Sequence, residues 1–305
     1  MSNSASVPAT QKLTELGLQL SPDINYRYET LFPKTEGWGA KSHIRKKHKQ
    51  ISRIESRLSH MLLPGEEVLY VAHGVQYKFS EHYFMGWLAL LINQTVFVLT
   101  NVRLLLIHAN TRGAPKETYW AVYYNQIKDF KPSWTGNTKL NLLDGSKFTF
   151  TGFDKHDRKQ MPTIFQQALT TYQQMGFQPE VTQSRENLCS HCFLVVPKHE
   201  YTCPHCQAEY WTPKEIALRS LLLPSWGDFL MRHTSAAFME LLSYFIMWFV
   251  VFAIMTGAID DGDANALPIA GLICAGIVAG HHIVDAILTY YIAKKGLTPR
   301  EAPKL

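Results

Sequence analysis

The chain has 305 residues and carries 30 Lys and Arg against 25 Asp and Glu, a formal charge of +5. That length suits two or three small units rather than one core. So mild a positive balance does not by itself argue for nucleic acid, and it suits a protein lying beside an anionic membrane face. Four of the five cysteines fall between Cys189 and Cys206, while Cys274 sits in an apolar run. An odd count with clustered pairs argues against a secreted disulfide framework and for a metal site in a reducing compartment.

Residues Met1 to Gln11 are polar and lack an apolar core of signal-peptide length, so membrane insertion is expected to use an internal segment. Residues 1–40 read as a flexible lead-in. A basic amphipathic helix is expected over 41–62. Lys41, Arg45, Lys46, Lys47, Lys49, Arg53 and Arg57 stand there against the single Glu55. Ile44, Ile51 and Leu58 repeat every seven residues, with Ile54 and Met61 on the same side, which makes a narrow apolar stripe. Lys41, Arg45, Lys46, Lys47, Lys49 and Arg53 are candidates for contact with acidic lipid headgroups. The alternative is a solvated helix that docks its stripe on the next domain.

From Leu63 to Gln173 the pattern turns to strands. Expected strands are Glu67 to Phe79, Thr95 to Leu99, Val102 to Ile107, Tyr119 to Ile127, Thr138 to Leu143 and Lys147 to Phe153. Asp144-Gly145 signals a hairpin with a type I′ turn. The stretch Phe84 to Ile107 imitates a membrane span, but Asn93, Gln94, Asn101 and Arg103 interrupt it, and it reads as buried strands. An amphipathic helix follows, with Met161, Ile164, Phe165, Ala168, Leu169, Tyr172 and Met175 on one face, Pro162 near its start and Gly176 at its end. Strands closed by one helix, carried by GEEVLYVAHG (65–74), FVLTNVRLLLI (97–107), YNQIKDF (124–130) and LLDGSKFTFTGF (142–153), resemble the bacterial pleckstrin-homology and GRAM-like families. That resemblance covers 63–180 and implies a β half-barrel that binds a protein, peptide or lipid rather than a catalyst.

Cys189-x2-Cys192 and Cys203-x2-Cys206 are separated by ten residues, Phe193 to Thr202. Two residues between cysteines let a tight turn aim both thiolates at one point, and four thiolates complete a tetrahedron around Zn²⁺. With no ligand position left open, the zinc is expected to be structural and to contribute to folding residues 185–212. His191 and His205 lie inside the knuckles as bystanders. The segment resembles zinc ribbons, although Gln207 stands where their second knuckle often has Gly. Zinc ribbons serve stapling, protein contact or nucleic-acid contact. A region too short for its own core favours the first two, so nucleic acid is not the expected partner.

The last part, 215–297, is expected to hold an interfacial segment and two transmembrane helices, at about 237–259 and 266–292. Leu241 to Ile259 and Ala266 to Gly280 carry no charge, which is length enough to cross a hydrocarbon core. The connector holds Asp260, Asp261 and Asp263, while Arg219, Arg232, Lys294, Lys295 and Arg300 flank the pair. The positive-inside bias then puts both termini in the cytosol and the acidic bend outside. LLLPSWGDFL (221–230) resembles the start of TM2-type two-helix domains, and Asp285 aligns with an acidic residue of that family's second helix. Glu240, His281, His282 and Asp285 are ionisable groups within the spans, expected to cluster between the helices. Such a cluster serves as a proton or ion path, a partner-helix contact, or hydrogen-bonded glue.

Taken together, the sequence predicts a multidomain α+β membrane protein with lipid and a protein partner or second copy as its contacts. A non-enzymatic membrane-anchored adaptor, in the bacterial inner membrane if the resemblance holds, is the first functional expectation. An accessory subunit of a transport or channel assembly is the second, and membrane-tethered nucleic-acid binding is the weaker third.

Overall fold

A computed structural model describes residues 8–132, 136–260 and 265–303. The chain divides into two compact units, one built from residues up to Ala208 and one spanning Glu209–Ala302. The fold is mixed α+β, with a large antiparallel sheet in the first unit and two long apolar helices in the second.

The first unit opens with helix α1 (Ala9–Glu15), strand β1 (Asn25–Tyr26) and helix α2 (Tyr28–Leu31). Residues 9–32 are therefore not the flexible lead-in expected from their polarity. Leu13, Ile24, Tyr26, Leu31 and Phe32 are buried in the core, and β1 pairs in parallel with the first long strand. These apolar residues are too sparse to show a period, yet they join one cluster with Ile44, Ile51, Ile54 and Leu58 and with Val68 and Val71 of that strand. Residues 1–7 lie outside the described range.

Helices α3 (Ala40–Ser52) and α4 (Glu55–Met61) replace the single basic helix, with a break at Arg53 and Ile54. Ile44, Ile51, Ile54, Leu58 and Met61 are all buried. Strands β2 (Glu67–Tyr77), β3 (Gln94–Thr100), β4 (Arg103–Ala109) and β5 (Pro115–Tyr123) follow, then β6 (Ile127–Pro132), β7 (Thr138–Leu142) and β8 (Lys147–Thr151). Between β2 and β3 lie two short helices, α5 (Phe79–Met85) and α6 (Leu88–Ile92). The expected strand over 84–107 thus holds only from Gln94. Within α5 and α6 the buried residues are Glu81, Met85, Ala89 and Ile92, a three-to-four spacing that suits helices and not strands.

In spatial order the strands run β5-β4-β3-β2-β8-β7-β6, each neighbour antiparallel. Helix α7 (Lys155–Met175) covers one face, packing Met161, Ile164, Phe165, Ala168 and Tyr172 against Phe97, Leu99, Leu104, Leu106 and Val122. The alternate residues Val96, Val98, Leu105 and Ile107 face α3 and α4. A sheet buried on both sides needs near-continuous apolar strands, which is why TVFVL and LLLI look membrane-like. The interrupting polar groups are all satisfied. Asn93 Nδ2 donates to Glu81 at 2.9 Å, Gln94 Nε2 to the Leu90 carbonyl at 2.7 Å, and Asn101 Oδ1 accepts from the Glu67 amide at 2.9 Å. Arg103 donates to both oxygens of Glu66, at 3.0 and 2.9 Å.

The β7–β8 turn differs from the type I′ expectation. Only Gly145 has positive φ, at 85°, and its amide donates to Leu142 O at 3.2 Å. A tight turn followed by one left-handed glycine makes a three-residue loop, which asks nothing unusual of Asp144.

The second unit contains helices α8 (Pro213–Leu222), α9 (Trp226–Leu230), α10 (Thr234–Asp260) and α11 (Ala266–Ala293). Thr212 and Glu215 form a reciprocal capping box that fixes the start of α8, with Pro213 in its first turn. Helices α10 and α11 are long and apolar enough to cross a membrane, and most of their apolar side chains, such as Phe245, Phe249, Phe252 and Leu272, are exposed. Asp261 and Asp263 of the expected acidic bend lie outside the described residues.

Candidate metal centre and carboxylate cluster

After α7, strands β9 (Glu186–Leu188) and β10 (Val195–Val196) form an antiparallel pair that brackets the first cysteine knuckle. Strand β9 also pairs with β5, through Tyr119↔Leu188, Trp120↔Asn187 and Ala121↔Glu186. The cysteine segment therefore continues the edge of the large sheet. Phe193 fastens it further, with its ring 5.4 Å from Tyr119 and stacked on His60 at 6.2 Å.

The two knuckles have the same backbone wiring. The Phe193 amide donates to Cys189 O and the Cys189 amide to Leu194 O; the Gln207 amide donates to Cys203 O and the Cys203 amide to Ala208 O. In each knuckle the residue after the second cysteine is left-handed, with φ of 58° at Phe193 and 61° at Gln207. That conformation explains why glycine suits the position, and it is met here by two residues with side chains.

All four Sγ atoms lie within 4.8 Å of one another. Cys189 and Cys206 are 3.5 Å apart, and Cys192 and Cys203 are 3.6 Å apart. A tetrahedral ion with metal–sulfur bonds of about 2.3 Å needs sulfurs roughly 3.8 Å apart, so the donor set fits such an ion closely. The same distances exceed a disulfide bond of about 2.05 Å, and none of the four cysteines is in a disulfide. His191 and His205 are not among the converging groups.

Of the six cations assigned to a lipid-facing surface, Lys41, Arg45, Lys46 and Lys49 are exposed, and Arg53 is half-buried with its guanidinium donating to Arg112 O. Lys47 does not belong with them. It is only 3% exposed and its Nζ lies 2.7 Å from Asp157 Oδ1. Its place on the inner edge of α3 turns it toward β2, where Val71 O also accepts from it at 2.6 Å. Around this pair His43, Lys46, Gln50, His73, Gly152 and Asp154 line a cavity of about 260 Å³. Burial lowers the pKa of both His43 and His73 below the usual imidazole value.

In the second unit the structure brings together Asp228, Glu240 and Asp285, with a carboxylate oxygen from each within 4.8 Å of the others. Asp285 Oδ2 accepts the Ser225 amide at 3.1 Å, and Asp228 Oδ1 lies 3.0 Å from His233 Nδ1. Carboxylates this close repel one another when charged. His281 and His282 do not join this group. Their rings pack on Tyr244 at 5.7 and 5.5 Å, and His282 Nδ1 lies 2.7 Å from Leu221 O. Sequence reasoning missed Asp228, whose signal was a lone acid in the apolar stretch LLLPSWGDFL. Strand β11 (Tyr210–Trp211) and strand β12 (Thr298–Pro299) pair to close the unit. There Arg219 and Arg300 each sit 4.2 Å from the Trp211 ring, which gives those flanking cations a packing role.

No family model matches the chain, and no curated protein matches it. Among solved structures, the crystal structure of the C-terminal domain of an unknown protein from Leishmania infantum is similar over 39% of this chain and 93% of its own length. The two are 15% identical with a TM-score of 0.28, a likeness that carries no argument about fold or function.

Proposed function

We propose that the chain is a non-enzymatic, membrane-anchored adaptor. In this reading a PH/GRAM-like module presents a binding surface at the membrane, a structural zinc staples its edge, and α10 and α11 hold it in the bilayer. The observation that carries the proposal is the pairing of β9 with β5, which makes the four-cysteine segment part of the module's own sheet. A closed tetrahedral thiolate set at that position supplies folding energy and shape, with no open site for chemistry. The antiparallel order β5-β4-β3-β2-β8-β7-β6, with α7 over one face, supports the module assignment. The exposed apolar flanks of α10 and α11 support the anchor. The orientation with both termini in the cytosol follows from the flanking Arg and Lys and from the thiol chemistry.

The test washes intact membranes at alkaline pH and then extracts the full-length protein from them in mild detergent. The expected results are retention in the membrane fraction after alkaline washing, one zinc per chain, and co-purification of a specific partner that is lost when zinc is chelated. Release by alkaline washing would remove the anchor, and partner retention after zinc loss would remove the staple's role in the binding surface.

A further inference from the structure

The start of α7 sorts its charges onto two sides. Its acids reach α3: Asp154 Oδ2 lies 2.6 Å from Lys46 Nζ, and the buried Asp157 pairs with Lys47 at 2.7 Å. Lys155, Arg158 and Lys159 share a different side, spaced three and four apart so that they stand next to one another. All three are exposed, and among the described residues no acid is ion-paired with them. Like charges at that spacing repel, and here nothing relieves them.

The three cations line a cavity of about 240 Å³, together with Pro132 at the end of β6 and Gly136 and Thr138 at the start of β7. No acidic side chain is among its described lining residues. Thr138 lies on the same face of β7 as the core residues Leu140 and Leu142 and is itself buried, so the strand forms a fixed floor. Gly136 has φ of 84°, and a Cβ there would collide with Arg158 Nη1. The guanidinium therefore lies against the backbone at a place that only glycine leaves open. A cavity with three unpaired cations and no acid is complementary to a compact, multiply charged oxyanion. A phosphate monoester carries up to two negative charges, and its oxygens suit the planar fork of an arginine and the point charges of two lysines.

We propose that this cavity binds a phosphate monoester group, carried by a small soluble molecule or by a lipid headgroup. The site lies within the first unit and does not depend on α10 and α11 spanning a membrane.

The test titrates the full-length chain, in neutral-detergent micelles, with glycerol 3-phosphate and in parallel with phosphatidic acid dissolved in the micelles, each followed by calorimetry. Arg158→Gln, Lys155→Gln/Lys159→Gln and Gly136→Ala are compared with wild type and with Lys49→Gln, which removes an exposed cation of α3 outside the cavity lining. The expected result is saturable binding of at least one probe by wild type and Lys49→Gln, weakened at least about tenfold in Arg158→Gln and in the double lysine variant. Gly136→Ala keeps every charge but displaces Arg158, and it is expected to weaken binding as well. Binding of glycerol 3-phosphate supports a soluble source, and binding of phosphatidic acid alone supports a headgroup. The absence of saturable binding of either probe overturns the proposal. Equal affinity in Lys49→Gln and the cavity-charge variants also overturns it, since the anion then meets only a generally basic surface or another site. Lys155, Arg158 and Lys159 are exposed, so thermal unfolding of their variants is expected to match wild type and to separate lost binding from lost fold.

Discussion

Lys47 and Asp157, 110 positions apart, form a buried ion pair with Nζ and Oδ1 2.7 Å from each other. The pair joins α3 to the first turn of α7, and the Tyr70 hydroxyl donates to the same Asp157 oxygen at 2.8 Å. Burial lowers the pKa of Lys47, while Asp157 opposes that shift. Removing one partner leaves an uncompensated buried charge. Asp157→Asn or Lys47→Met is expected to cost about 3–5 kcal/mol in unfolding free energy. The double variant Lys47→Met/Asp157→Leu is expected to cost less than either single change. Denaturant unfolding followed by tryptophan emission measures this, and a double variant as unstable as the sum of the singles would deny the coupling.

The cavity beside that pair gives the protein an acid sensitivity. His43 is held below its ordinary pKa of 6.5 by burial and by Lys47 and His156, against the pull of Asp157 and Asp154. His73 is lowered by burial, Arg53 and Lys46, against Asp157. Below pH 6.5 the unfolded chain therefore binds protons that the folded chain resists, so stability is full above that pH and falls as pH drops through it. The slope of unfolding free energy against pH in this range is expected to flatten in His73→Gln and in His43→Gln. An unchanged slope in both would place the acid sensitivity elsewhere.

Much of this arrangement was legible in the residues, and the remainder has physical causes. Ile44, Ile51, Ile54, Leu58 and Met61 announced a buried stripe, and they are buried. The strand alternation was hidden because both faces of the sheet are covered, so Val96 to Leu99 and Leu104 to Ile107 show no polar face. The packing of residues 9–32 was illegible because it depends on contacts with β2 and a shared core rather than on a local period. The cysteine spacing foretold convergence of four thiols. What it did not foretell was that β9 makes them part of the sheet edge. Glu240 and Asp285 meet as their depths suggested, but the third group is Asp228 on a short helix, while Tyr244 takes the two histidines.

The knuckle geometry separates two substitutions that look alike on paper. Gln207 is exposed with φ 61°, so Gln207→Gly removes left-handed strain without removing packing. It is expected to stabilise the zinc-loaded protein by about 1 kcal/mol. Phe193 has a similar φ of 58°, but its buried ring packs on Tyr119 and His60. Phe193→Gly is expected to destabilise by about 3 kcal/mol or more, since the lost aromatic burial exceeds the relieved strain. Zinc retention against a graded chelator series, together with thermal unfolding, reads both. A gain of stability in Phe193→Gly would mean that the cysteine segment does not depend on the sheet.

Two glycines of the second unit make a paired test of its packing. A Cβ on Gly227 would collide with Thr289 Cγ2, lie 2.5 Å from Ser220 Oγ and meet Ile216 Cγ2 at 3.0 Å. None of these neighbours is free to retreat, because Ser220 Oγ accepts the Gly227 amide at 3.0 Å and Thr289 is itself buried and hydrogen-bonded to Asp285 O. Gly227→Ala is therefore expected to separate α9 from α8 and α11, at a cost of about 1–3 kcal/mol. Because the Ser225 amide holds Asp285 only two residues away, the carboxylate group should loosen as well. Gly257 in α10 meets nothing within 4 Å, so Gly257→Ala should leave stability unchanged or raise it by up to about 1 kcal/mol through helix propensity. Thermal unfolding of both variants in the same detergent decides the matter. Equal midpoints would show that the α8–α9–α11 junction yields to an added methyl group, and with it the close approach that positions Asp228 beside Asp285.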